Sequence, residues 1–204
     1  MSRAAPWFCV VMHVLALVAL GVWLRGGTEA EPDLAQRAEF IAANIGAWRI
    51  GWAMWMLSAV SLVAFYAWWA KHLPASGWRI AGVLFAAAGM ACDITGEGIF
   101  MSRLVEHATL SDLEGALKTQ RLGSLLTAGA ANAFYTIGGI VLMLRTTDLP
   151  RRVRRAMWIT WGAGALMTAS TLVDNTAGLV VSTAVLFPLF MGWTVWMAVR
   201  WRRA

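Results

Sequence analysis

Six apolar runs, at residues 6–24, 50–70, 80–104, 122–144, 156–173 and 179–199, divide this chain of 204 residues. A helix rises ~1.5 Å per residue and the hydrocarbon core of a bilayer is ~30 Å thick, so each run is long enough to cross it. The pattern predicts an all-α, polytopic bundle of six membrane-crossing helices forming one domain. A soluble domain of this size does not carry 59% hydrophobic residues or a mean hydropathy of +0.62. Nothing resembling a small-residue cleavage site follows the first run, which reads as a retained helix.

The charges sit between the runs. The net charge of +6 points away from nucleic acid, because the Lys and Arg residues cluster in short loops and not along one amphipathic face. Arg3, the Lys71 and Arg79 turn, the loop with Arg145, Arg151, Arg152, Arg154 and Arg155 against Asp148, and the end with Arg200, Arg202 and Arg203 are all basic. The intervening loops are not: residues 25–39 set Arg25 and Arg37 against Glu29, Glu31, Asp33 and Glu39, two against four, a net of −2. Basic loops stay inside, so both termini are expected in the cytoplasm and the protein in a bacterial inner membrane, multi-pass.

The outer loops carry helical signals of their own. Pro32 suits a first turn, Leu34, Ala38, Ile41 and Ile45 follow at helical spacing, and Asn44 and Gly46 mark an end. Ser111 and Glu114 have capping-box spacing, predicting a second surface helix over residues 112–120. One or two short interfacial helices are thus expected on the outer side. Most of the 13 Trp residues fall near the ends of apolar runs, where indoles anchor at headgroups.

The third run holds Asp93 and Glu97, four apart and therefore on one helical face. Each ionised acid at a bilayer centre costs roughly 2.5–3.5 kcal/mol on insertion scales, so such groups turn towards protein or water. Counting from the inner end, Asp93 lies ~20 Å and Glu97 ~25 Å along the helix, in the outer half of the core. Arg49, Asp174 and Asn175 fall at the same level on other runs, and Asn132 near the midplane. The expectation is a polar pocket in which Arg49 pairs with Asp93 or Glu97, walled by Trp52, Trp55, Asn132 and Tyr135. The alternative is a structural ion-pair cluster, with Asp174 and Asn175 as solvated turn residues.

Other chemistry lacks its parts. His13, His72 and His107 lie at three different depths, which excludes a bis-His haem clamp and a His-rich zinc site. Cys9 and Cys92 show no metal spacing and no shared depth, and no G-x-S-x-G supports a serine nucleophile. No cofactor and no metal are expected.

Phe134, Tyr135, Gly138 and Gly139 in the fourth run, Leu149-Pro150-Arg151, Trp161-Gly162 and the amphipathic segment before the second run resemble an uncharacterised bacterial six-helix membrane protein family, a domain of unknown function, which implies the fold but no activity. Asp93-x-x-x-Glu97-Gly98-x-Phe100 bears a fainter similarity to the acidic helix of sterol isomerase-like membrane proteins, where such carboxylates shuttle protons on a lipid. Asp93 stands where those proteins carry His.

The leading functional expectation is an integral membrane protein that binds a membrane lipid or other small hydrophobic or amphipathic molecule at the acidic pocket. Three rivals stand beside it. A proton-shuttling lipid-modifying enzyme would use Asp93 and Glu97 as catalytic acid and base. A proton-coupled transporter would use the same acids, and an accessory subunit of a larger membrane complex would bury an apolar face on its partners. A homo-oligomer is open in each case.

Overall fold

The computed structural model describes residues 4–201. Arg3, Arg202 and Arg203, which entered the loop-charge count, lie outside the described residues.

The chain is helical almost throughout. Helix α1 (Ala5–Ala19) starts at a proline in its first turn and runs on through a π-helical stretch, Leu20–Leu24, and one 3-10 turn, Arg25–Gly27. Helix α2 (Leu34–Ala43) is short and capped by Asp33, whose carboxylate accepts from the Ala35 and Gln36 amides; it stops at Asn44, as its spacing predicts. Helix α3 (Ile45–Lys71) follows at once, five residues earlier than its apolar run begins. Helix α4 (Gly77–Met101) breaks at Ser102, and α5 (Arg103–Thr109) continues from the break. Helix α6 (Leu113–Ser124), a π-helical stretch at Leu125–Ala131 and α7 (Asn132–Leu144) make one continuous rod. Helices α8 (Arg151–Leu172) and α9 (Thr176–Arg200) close the chain.

The helix expected at 112–120 is therefore no separate surface element but the first turns of the fourth rod. Its N-cap is Asp112 instead of Ser111, whose φ of 55° places it in the left-handed turn before the cap. Five helical rods among the described residues are long and apolar enough to cross a membrane: Ala5–Gly27, Ile45–Lys71, Gly77–Thr109, Leu113–Leu144 and Thr176–Arg200. The α8 helix is not one of them, since four of its first five residues are arginines.

The long helices form a closed ring. α1 packs on α3, α3 on α4, α4 on the α6–α7 rod, α7 on α8 and α8 on α9, and α9 returns to α1. Two apolar clusters fill it. The larger lies towards the ends expected in the cytoplasm and is built on Phe65, Tyr66, Trp69, Trp161, Phe190 and Trp193. The smaller lies at the other end, where α2, α5 and the start of α6 fold over Leu24, Trp48 and Phe100 as a cap. Several tryptophans expected at the headgroups are instead sealed inside. Trp48 is 1% exposed and donates to the Phe100 carbonyl at 2.9 Å, and Trp69 donates to Thr146 Oγ1 at 3.0 Å. An indole buried with its N–H satisfied joins helices more strongly than one at an interface, which is why these positions turn inward. Trp78, more than half exposed, keeps the expected role.

Glycines set how closely α4 approaches the fourth rod. Gly82, Gly89 and Gly96 recur every seven residues on one face of α4. A Cβ at Gly89 would lie 2.9 Å from the Ala131 carbonyl oxygen, and one at Gly96 would lie 2.9 Å from that of Gly123. From the other side, a Cβ at Gly138 would lie 2.7 Å from the Gly82 carbonyl. The seven-residue period keeps these glycines on one face of α4, and the missing side chains bring the two backbones together.

Candidate functional site

The two acids emerge beside that seam. Glycine at 89 leaves room for the Tyr135 ring, 2.7 Å from where a Cβ would stand, and the ring carries its hydroxyl back to α4. There it donates to Asp93 Oδ2 at 3.0 Å. Tyr66 of α3 fixes the same residue from the third side, donating to the Tyr135 carbonyl at 2.8 Å. Asp93 is partly buried. Glu97, one turn further out, is 1% exposed, and its Oε2 is buried without a hydrogen-bond partner.

The register of α3 on α4 says what faces Glu97. Trp52 stacks against Phe100 with centroids 4.4 Å apart, and Ala67 faces Leu84 towards the other end, which puts Trp55 at the level of Glu97 and Ser58 at that of Asp93. Both indole N–H groups, of Trp52 and of Trp55, are buried and unbonded. Trp55 reaches Phe187 of α9, with centroids 5.6 Å apart. Around the acidic level three buried polar atoms lack a partner, Glu97 Oε2 and two indole nitrogens, among aromatic rings. Trp55 thus stands level with Glu97, and Trp52 one turn nearer the start of α3, against Phe100.

Arg49 is not in the site. Its side chain is exposed, and its Nε donates to the Met101 carbonyl at 3.1 Å, closing the end of α4 outside the acids. The expected pairing with Asp93 or Glu97 is absent because Arg49, in the second turn of α3, meets the last turn of α4, where an unpaired carbonyl is a nearer acceptor. The ion pairs among the described residues are His107 with Asp112, Lys118 with Glu114 and Arg121 with Asp174, none of which touches the acids.

Three other expected residues point elsewhere. Asn132 donates to the Gly164 carbonyl at 2.6 Å and to Thr168 Oγ1 at 2.9 Å, and Thr168 donates on to the Gly129 carbonyl at 3.2 Å. This chain ties the π-helical stretch to α8, and no polar contact joins Asn132 to the acids. Asp174, at φ 53°, pairs with Arg121 at 2.9 Å, and Asn175 caps α9 by accepting from the Gly178 amide at 3.0 Å. Both are exposed turn residues, so the alternative stated for them holds.

Tyr66, Gly89 and Thr168 were missed by reasoning from the sequence. For Gly89 a signal existed in the seven-residue glycine period, which marks the face of α4 that takes the Tyr135 ring. For Tyr66 and Thr168 none did, because one side chain bonding to a distant helix leaves no local pattern.

Two clefts lie elsewhere. One, of about 310 Å³, separates α8 from α9 along Gly162, Ala163 and Ser182; the other, of about 230 Å³, separates α3 from α4 at their inner ends. Neither is lined by Asp93 or Glu97. Compared with protein-family models, with curated proteins and with solved structures, the chain matches none.

Proposed function

We propose that this is a six-span protein of a bacterial inner membrane, both ends cytoplasmic, which holds a small amphipathic molecule by a hydrogen-bond-donating head at the Asp93 and Glu97 pair. The observation that carries this is the unpartnered Glu97 oxygen, 1% exposed in a membrane-crossing helix with no cation beside it. The protein supplies this carboxyl oxygen with no hydrogen-bond partner, and an unmade hydrogen bond on a buried polar group costs roughly 1–3 kcal/mol. Tyr135 serves Asp93 alone. The aromatic rings of Trp52, Trp55 and Phe100 offer the apolar and π surfaces that accept an amine or hydroxyl head with its chain.

Two features support the sixth crossing and the site's ability to open. α8 runs the length of α9 and α7, and its arginine-free part, 17 residues from Ala156 to Leu172, reaches ~25 Å. The π-helical stretch Leu125–Ala131 faces α4 at the acids, and wide turns of this kind recur at functional sites where a helix must rearrange.

Native mass spectrometry of the chain released from mild detergent tests the reading. A co-purified small molecule present on the wild type and lost from Asp93→Asn/Glu97→Gln, with Arg49→Gln retaining it, is the expected result. Equal retention by the double variant would sink the proposal.

A further inference from the structure

The cleft between α3 and α4 lies at the opposite end of the helix pair from Trp52 and Phe100, and it has a different character. Ala67 and Ala70, three apart on α3, leave its floor open, and Val83 and Leu84 of α4 wall it over about 230 Å³. Leu84 is 64% exposed, so the cleft opens sideways to where lipid lies. Lys71 and Arg79 stand at its mouth, the last residue of α3 and the third of α4.

Neither cation is engaged by an acid. Among the described residues no ion pair includes Lys71 or Arg79, and the 71–79 turn contains no Asp or Glu. Arg79 is held back over the turn by a bond from Nη1 to the Leu73 carbonyl at 3.4 Å, which keeps the guanidinium at the mouth. A third cation stands close by: the Arg145 guanidinium lies 5.3 Å from the centroid of the neighbouring Trp78 ring. An apolar slot open to the bilayer with two unpaired cations at its headgroup end matches one kind of molecule.

We propose that this cleft is a binding site for an anionic phospholipid, its phosphate between Lys71 and Arg79 and the upper part of one acyl chain over Ala67 and Ala70. Charge complementarity carries the choice. A zwitterionic lipid would bring its own cation to a mouth that already has two, whereas each juxtamembrane Lys or Arg favours an anionic headgroup roughly fivefold. Trp78 at the same level gives the glycerol region an amphipathic ring. The site is separate from the acid pair and shares no residue with it.

The test is lipid retention in native mass spectrometry of the full chain, exchanged from detergent against phosphatidylglycerol or phosphatidylethanolamine of identical acyl chains. Selective retention of phosphatidylglycerol is expected, falling by an order of magnitude or more in Lys71→Gln/Arg79→Gln. The equally discharged Arg151→Gln/Arg155→Gln should retain the lipid as the wild type does. Ala67→Leu, which fills the floor at a half-buried position and leaves both cations, should lose it while its melting temperature stays near wild type. Equal loss in both discharged variants would show a diffuse surface charge and overturn the site. Retention in the filled variant would overturn the cleft, and displacement of the lipid by millimolar inorganic phosphate would show an anion site with no lipid specificity.

Discussion

Tyr135 donates its hydroxyl hydrogen to Asp93 Oδ2 at 3.0 Å across the seam between α4 and α7. It is the only donor that either acid receives among the described side chains, and it reaches Asp93 because residue 89 has no side chain in its path. Tyr135→Phe removes the hydroxyl and keeps the ring. The variant should lose about 1–2 kcal/mol of stability against unfolding in mixed micelles, the range of interhelical hydrogen bonds in membranes extended for a charged acceptor. A change below a few tenths would mean that the bond is not made in the protein.

Gly89→Ala and Gly98→Ala separate seam packing from helix propensity. Both replace a helical glycine by the best helix former, a gain of about 1 kcal/mol in an exposed helix. At 98 a Cβ meets nothing within 4 Å, so that variant should melt at or above the wild-type temperature. At 89 it would stand 2.7 Å from the Tyr135 ring and 2.9 Å from the Ala131 carbonyl, one of which is backbone and cannot rotate away. Gly89→Ala should therefore cost about 1–3 kcal/mol from overpacking, visible as a lower melting temperature in detergent.

Arg49→Gln reports on what Arg49 does. Its guanidinium closes a helix end at the exposed Met101 carbonyl, so its loss should cost less than about 1 kcal/mol and leave the small-molecule retention of the acid pair intact. A collapse of stability by several kcal/mol, as when one partner of a buried ion pair is removed, would place Arg49 back among the acids.

Asp112, at the outer turn before α6, gives a pH dependence of known sign. The Gly115 amide first and the His107 ring second hold its carboxyl below the usual carboxylate range. The unfolded chain, with Asp near ~3.9, then binds more protons than the folded one in the interval below that value. The contribution to stability is complete above it and fades as pH falls through the lowered folded value. Thermal melts between pH 3 and pH 7 should show an acid-side fall that is shallower in Asp112→Asn, which should also melt lower at neutral pH through loss of the charged carboxylate's bonds to the Gly115 amide and the His107 ring. Identical slopes in the two proteins would rule this out.

The membrane class, the all-α fold and the position of the acids were legible because they rest on local quantities. Run length against bilayer thickness and four-residue spacing on a helix need no knowledge of neighbours. The short helix Leu34–Ala43 came from the same rules. What the sequence could not decide was the rotation of each helix about its own axis. Depth along a helix follows from counting residues, but which side chain faces which neighbour depends on how backbones pack.

Rotation is what removed Arg49, Asn132, Asp174 and Asn175 from the site and brought in Tyr66. At the right depth, Arg49 found a carbonyl at a helix end and Asn132 a network on α8, because a polar side chain in an apolar medium takes the nearest acceptor that packing offers. Sequence alone settled that two carboxylates would share one face of a long apolar helix, since apolar length and periodicity are properties of a single chain segment. Only the tertiary structure decided that a tyrosine and no cation would meet them, because that choice was made where glycines let two helices touch.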